Sequence, residues 1–151
     1  MEIIIDLLKN HQECINTLIK IGREALGSTW APDEVQLRLR LNSDILPLAF
    51  VALDTEKPVG LCVLSQNKPI RPDLSPWLGP VFVDKKYQKC GIGTKLIEAI
   101  KQKALTLGFE KLYLCTHDSD LANKYYKKRG WNIIGIDKWK GHSVTVMEIS
   151  L

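Results

Sequence analysis

The sequence predicts an α/β (α+β) fold: a mixed central sheet of about seven strands flanked by about four helices. Three observations carry that prediction. β-prone runs and apolar stripes of helical spacing follow one another along the whole chain. In the middle, Leu78–Val83, Gly93–Leu107 and Lys111–Cys115 read as strand, helix and strand, a unit that requires a parallel pair with a right-handed crossover. Earlier, Leu48–Leu53 and Val59–Gln66 flank the string Asp54-Thr55-Glu56-Lys57-Pro58, which reads as a hairpin and therefore an antiparallel pair.

The elements follow in order. Glu2–Leu7 is a short β-prone run and a first strand. Over His11–Leu26, Cys14, Leu18, Ile21 and Ala25 recur every three or four residues, which is a helical stripe, and Gly27 ends it. Pro32, Asp33 and Glu34 open a second helix to about Leu41, because Pro suits a first turn and acids suit the positive end of a helix dipole. The hairpin comes next, then a loop over Asn67–Pro76 that holds Pro69, Pro72 and Pro76. Leu78–Val83 reads as a strand interrupted by Gly79-Pro80, a pair that signals a bulge or a close backbone approach. Gly93–Leu107 is the clearest helix, buried through Leu96, Ile97, Ile100, Ala104 and Leu107 and capped by Gly108. After the buried run Lys111–Cys115 come a short helix, Leu121–Arg129, stopped by Gly130, and two closing strands, Trp131–Ile136 and Ser143–Ile149, with a polar loop between them.

Composition bounds the function. Residues 1–151 are enough for one domain with a substantial core. With 45% hydrophobic and 25% charged residues, the balance is globular rather than disordered or fibrous. No apolar run approaches the roughly 20 residues of a membrane helix. The start, Met1-Glu2-Ile3-Ile4-Ile5-Asp6, is too acidic and too short in apolar character for a signal peptide. The net charge of +4 suits an anionic ligand without demanding nucleic acid. Cys14, Cys62, Cys90 and Cys115 are far apart and form no Cys-x-x-Cys pair, so free thiols in a reducing cytoplasm are expected. His11, His117 and His142 are equally scattered, and no metal-site spacing exists.

The chemistry is concentrated in Leu78–Leu96. A strand leads through Asp84-Lys85-Lys86-Tyr87 into Gln88-Lys89-Cys90-Gly91-Ile92-Gly93-Thr94 and then into the long helix. Two glycines permit a turn whose successive N–H groups point into one concavity, and the helix adds its own unpaired N–H groups and positive dipole end. Together they make a site for a phosphate or pyrophosphate. The P-loop string is absent. The dinucleotide fingerprint fails too, because Gly91-Ile92-Gly93 is followed by Thr94-Lys95-Leu96, without its third glycine. The pattern [QR]-x-x-G-x-[GA] is met in full by Gln88, Gly91 and Gly93. Further on, Ala122-x-x-x-Tyr126-x-Lys128-x-Gly130-Trp131 matches A-x-x-x-Y-x-[KR]-x-G-F but for Trp in place of Phe.

On these two motifs the sequence resembles the GNAT family of acetyl-CoA-dependent N-acetyltransferases, most closely over Leu78–Leu107 and Lys111–Trp131. The resemblance implies the GNAT acyl-CoA N-acyltransferase fold over one domain, 1–151, with acetyl-CoA as cosubstrate and no metal. The backbone of Val81, Phe82 and Val83 would run beside the pantetheine arm, where the strand opens near Gly79-Pro80. Gln88, Lys89, Cys90, Gly91, Ile92, Gly93 and Thr94 would hold the pyrophosphate, with Cys90 contributing its amide rather than a nucleophilic thiol. Tyr126 would be the catalytic acid for the departing thiolate, the spacing to Gly130 choosing it over Tyr125. Ser119 stands where the family often has a cofactor-contacting Asn.

The acceptor side is less legible. His117, Asp118 and Asp120 follow a strand, where they would be able to reach a cleft, although Thr116-His117-Asp118-Ser119 reads first as a turn with a helix cap. Trp30, Trp77, Glu24, Asp33, Glu34 and Asp73 fall in segments able to wall an acceptor groove, where acids would attract an amine. Lys124, Lys127, Lys128 and Arg129 form a basic run, either a solvated helix face or help for the 3′-phosphate of CoA. The expected partner is an amine acceptor, small molecule or protein, with no nucleic acid and no membrane, for a monomer or homodimer. A non-catalytic acyl-CoA sensor on the same fold and a nucleic-acid-binding domain are the rival readings.

Overall fold

The computed structural model describes residues 1–151. Its elements are β1 (Ile3–Leu7), α1 (Ile15–Leu26), α2 (Glu34–Arg38), β2 (Leu48–Asp54), β3 (Lys57–Ser65), β4 (Trp77–Val83), α3 (Ile92–Thr106), β5 (Lys111–His117), α4 (Asp120–Lys128), β6 (Asn132–Trp139) and β7 (His142–Ser150). All seven strands form one sheet in the order β1-β2-β3-β4-β5-β7-β6. Every neighbouring pair is antiparallel except β4 and β5, the pair joined by the α3 crossover. The mixed sheet with four helices is the predicted architecture.

The two faces of the sheet bury different helices. On β2 and β3, Leu48, Ala52, Cys62 and Leu64 point to one side and pack with Leu96 and Ile100 of α3. Ala49, Val51, Leu61 and Val63 point to the other and pack with Ile15, Leu18 and Ile21 of α1 and Leu37 of α2. This is the period-two alternation of a strand covered on both faces. Tyr125 and Tyr126 of α4 pack on the α3 side.

The alternation breaks once, where it matters. Cys62 and Leu64 of β3 pair with Val81 and Leu78 of β4, so β4 carries one extra residue there. That is a β-bulge centred on Gly79-Pro80, as the sequence signalled. Because of it, Leu78 and Val81 both face the α3 side, while Phe82 turns to the α1 side. Phe82 fills the space under α1 so closely that a Cβ on Gly22 would come within 3.0 Å of its ring. The bulge also ends the pairing of β4 with β5, which is confined to one registered pair, Trp77 with Tyr113. Beyond it β5 pairs only with β7, from Lys111–Ser150 to His117–Val144, and the sheet opens between its two parallel strands.

Several boundaries differ from the sequence reading. The first helix begins with a 3-10 turn over Gln12–Cys14 and becomes α-helical at Ile15. α2 ends at Arg38, short of Leu41. The β2–β3 connection is not a five-residue loop: Thr55 and Glu56 alone make the turn, with φ of 47° and 71°. β6 and β7 run on through the expected polar loop to a turn at Lys140 and Gly141, both also at positive φ. Two-residue turns of this handedness match the twist of antiparallel strands. Thr55-Glu56 lacks the Asn or Gly that announces such a turn, which is why the sequence hides it.

Candidate functional site

The opening between β4 and β5 forms a cleft of about 640 Å³. Gly79, Pro80 and Val81 line one side and Leu114, Cys115 and Thr116 the other. Pro80 has no N–H to give and the bulge has displaced its neighbours, so the backbone edge of β4 is exposed here without a strand partner. Val81 and Val83 are half-buried with side chains on the α3 side, and Phe82 is buried on the α1 side.

After β4 the chain is held tightly before it reaches the glycine-rich loop. The Asp84 amide donates to the Val59 carbonyl at 2.8 Å, and the Asp84 carboxylate accepts from the Lys86 amide at 2.9 Å, capping a 3-10 turn over Lys85–Tyr87. The Tyr87 hydroxyl donates to Asp54 Oδ2 at 2.7 Å, holding that carboxyl below the usual range. The side-chain amide of Gln88 donates to the Val83 carbonyl at 3.1 Å. Lys89 (φ 64°) and Gly91 (φ 83°) then take left-handed conformations that turn the backbone into α3. At Gly91 a side chain would meet no neighbour within 4 Å, so glycine is favoured there by backbone conformation rather than by crowding.

The result is a run of unpaired donors. No amide from Gln88 to Thr94 donates to an acceptor in the chain; the first that does is Lys95, to the Gly91 carbonyl at 3.1 Å. These N–H groups lie in the loop that leads into the N-terminus of a 15-residue helix, an arrangement suited to phosphate oxygens. Ile92 is buried and anchors the loop, whereas Cys90 is exposed with its thiol 3.6 Å from the Gln88 carbonyl. Lys85 and Lys86 precede the loop and Lys89 lies within it.

α4 connects the loop to the cleft. Tyr125 is committed: its hydroxyl lies 3.1 Å from Thr94 Oγ1, and the Arg129 guanidinium stacks 3.7 Å above its ring. Tyr126 instead lines the cleft and also a small pocket of about 40 Å³ that Thr94 and Ile97 of α3 share. Its ring packs edge-on against Tyr125 and Trp131, its hydroxyl makes no hydrogen bond within the chain, and burial pushes its phenol well above the ordinary value. Ser119 does not line the cleft: its hydroxyl accepts from the Ala122 amide at 3.2 Å and caps α4.

The far mouth of the cleft, on the α1–α2 side, departs from expectation. Trp30, Trp77 and His117 line it, but Glu24, Asp33, Glu34 and Asp73 do not. Asp33 caps α2, Glu34 pairs with Arg38 at 3.0 Å and Asp73 with Arg71 at 2.9 Å. Glu24 is exposed. These acids serve local structure instead of walling the groove. Asp118 likewise accepts from Asn123 and Thr145, and no carboxylate lines the cleft. His117 packs edge-on to Trp30 at 5.0 Å, with His142 beside both.

The sequence reading missed Arg40, Lys68, Trp139 and Lys140, all of which line this mouth. Only Lys140-Gly141 carried a local signal, as a hairpin turn that would lift Trp139 and Lys140 to one rim. No cluster of His, Cys, Asp and Glu side chains is spaced to hold a metal ion.

Residues 15–131 match the family model described as Acetyltransferase (GNAT) family. No curated protein sequence matches. Among solved structures, the chain is similar to a putative streptothricin acetyltransferase from Bacillus anthracis str. Ames in complex with acetyl coenzyme A, at 20% identity and TM-score 0.76 over 100% of this chain and 99% of that one. It is similar to the ribosomal-protein-S18-alanine N-acetyltransferase from Escherichia coli, at 17% identity and TM-score 0.76 over 99% and 94%. An IAA acetyltransferase from Bacillus cereus ATCC 14579 aligns at 22% identity and TM-score 0.71 over 99% and 100%. At these identities the likeness speaks to the fold.

Proposed function

The chain belongs to the acetyltransferase (GNAT) family, and from that membership we propose that it moves the acetyl group of acetyl-CoA to a primary amine by direct attack in a ternary complex. The observation that carries this reading is the run of unpaired amides, Gln88 to Thr94, placed beside a sheet that opens between β4 and β5. The amides grip the diphosphate of the cosubstrate, and the free edge of β4 at Val81–Val83 lines up its pantetheine arm. Held there, the thioester carbonyl is polarised by a backbone N–H of that edge. Positioning and polarisation of this kind supply most of the rate in acyl transfer without a covalent intermediate.

The amine nitrogen forms a bond to the acetyl carbon, the carbon–sulfur bond breaks, and the amine's proton leaves. His117 is the imidazole lining the cleft, the side-chain type that exchanges protons near neutrality, and we assign it to receive that proton. Tyr126 donates to the departing thiolate. Its raised pKa keeps the phenol protonated, and its hydroxyl is uncommitted. Residues 1–151 act as one domain, a cytoplasmic setting fits the four free cysteines, and a monomer or homodimer would carry a complete site.

The test is thiol release from acetyl-CoA across a panel of amines. Tyr126→Phe is expected to lower kcat by about 10²-fold or more while the KM for acetyl-CoA holds, and His117→Gln to lower kcat in the same way. Unchanged turnover in Tyr126→Phe would remove the tyrosine from the mechanism.

A further inference from the structure

The ionic character of the acceptor mouth points to the acceptor's chemistry. Arg40, Lys68 and Lys140 line it, and no carboxylate does. None of the three forms an ion pair. Lys140 donates to the neutral Thr29 carbonyl at 2.9 Å and lies over the rings of Trp30 and Trp139. Lys68 lies over Trp77. Arg40 is half-buried and its Nη1 donates to the Gln36 carbonyl; its Nε is buried with no partner, and Nη2 has no acceptor in the chain. Nη2 is therefore the guanidinium donor left to an anion in the cleft, and it can give a carboxylate one charge-assisted hydrogen bond.

Resting on the acetyl-transfer reading, we propose that the acceptor is an amine that also bears a carboxylate, an amino acid with an apolar or aromatic side chain, held through its carboxylate at Arg40. Trp30, Trp77 and Trp139 line the same cleft and give that side chain an apolar wall. The volume of about 640 Å³, shared with the pantetheine arm, fits a small acceptor. The same cations disfavour polycationic acceptors such as polyamines and aminoglycosides, since like charges at close quarters are an effective discriminator. They also help the reaction itself. Positive neighbours disfavour the ammonium form of the bound amine, so its proton leaves more readily in a cleft that holds no carboxylate base.

The experiment compares thiol release from acetyl-CoA with L-phenylalanine, L-phenylalaninamide, phenethylamine, spermidine and kanamycin, alongside calorimetry with acetyl-CoA alone. We expect kcat/KM for phenylalanine to exceed that for its amide and for phenethylamine by about tenfold to a hundredfold, the worth of a charged hydrogen-bonded pair, with the two polycations poorest. Arg40→Gln should erase the preference for the acid over the amide while leaving the KM for acetyl-CoA unchanged. Because Arg40 packs beneath α2, Lys68→Gln on the β3–β4 loop serves as the second variant and should reduce the same preference. Equal or better turnover of the amide or a polycation, a preference intact in both variants, or binding of acetyl-CoA without turnover of phenylalanine would overturn the acceptor assignment and leave the transfer reading standing. Failure to bind acetyl-CoA would overturn both.

Discussion

At the scale of single residues, the site divides into parts held by local chain and parts assembled from afar. Gln88, Gly91, Gly93 and Tyr126 were legible because backbone conformation and helix phase place them through neighbours in sequence. Gly91 shows how much one position carries. Its φ of 83° is left-handed, and a side chain there meets no atom within 4 Å. Gly91→Ala therefore costs backbone strain alone, about 1–2 kcal/mol, and the loop relieves it by turning amides away from the anion site. The KM for acetyl-CoA is expected to rise about tenfold in steady-state kinetics, with the melting temperature lowered by only a few degrees; an unaltered KM would detach the loop from the cosubstrate. Arg40, Lys68 and Lys140 were not legible because they come from three loops that meet only in the folded chain. The acids at Asp33, Glu34 and Asp73 misled for the complementary reason. An acidic residue near a groove in sequence is as readily used by a helix cap or a neighbouring arginine.

At the scale of elements, the break in β4 is what separates a plain sheet from a site. Gly79-Pro80 announced it, and the extra residue opposite Cys62–Leu64 delivers it. The turn ends were harder. Thr55-Glu56 forms a tight hairpin turn without turn-signal residues, because strand pairing over β2 and β3 overrides local preference. That turn has a consequence for the loop: it sets Asp54 at the end of β2, where the carboxylate receives the Tyr87 hydroxyl at 2.7 Å and the Glu2 amide at 3.2 Å. One side chain thus fastens the entrance of the amide loop to the edge of the sheet. Tyr87→Phe removes the bond and leaves the ring in place. The KM for acetyl-CoA should rise about threefold to tenfold, the worth of one solvent-screened hydrogen bond, at constant kcat. An equal fall in kcat would mean that the contact acts on the chemistry instead of on binding.

At the scale of the whole molecule, the mixed sheet with its helices was legible from periodicity and from the single parallel crossover, whereas the strand order, with β7 between β5 and β6, was not. Which residues would meet at the mouth of the cleft depended on loop geometry that periodicity does not encode. The fold also fixes a pH dependence. Burial raises the Cys62 thiol and the Tyr126 phenol above their ordinary values of 9.0 and 10.0. Their contribution is full below those values and is lost as pH rises, because the unfolded chain releases protons that the folded chain keeps. On the acid side, Asp44, Asp54 and Asp73 are held low by Lys103, Tyr87 and Arg71, so their smaller, solvent-screened contribution is lost as pH falls below about 3.8. Thermal melts from pH 7 upward should show the midpoint falling once pH passes about 9, with a shallower fall above pH 10 in Tyr126→Phe. A curve flat to pH 11 would contradict the burial of both groups. The claim on which the account turns is that the unpaired amides of Gln88–Thr94 hold a diphosphate. Calorimetric titration with CoA and with pantetheine, which shares its thiol arm and lacks the diphosphate, tests it most directly. The account predicts that CoA binds at least about a hundredfold more tightly, the worth of several charge-assisted hydrogen bonds; equal affinity for the two would contradict it.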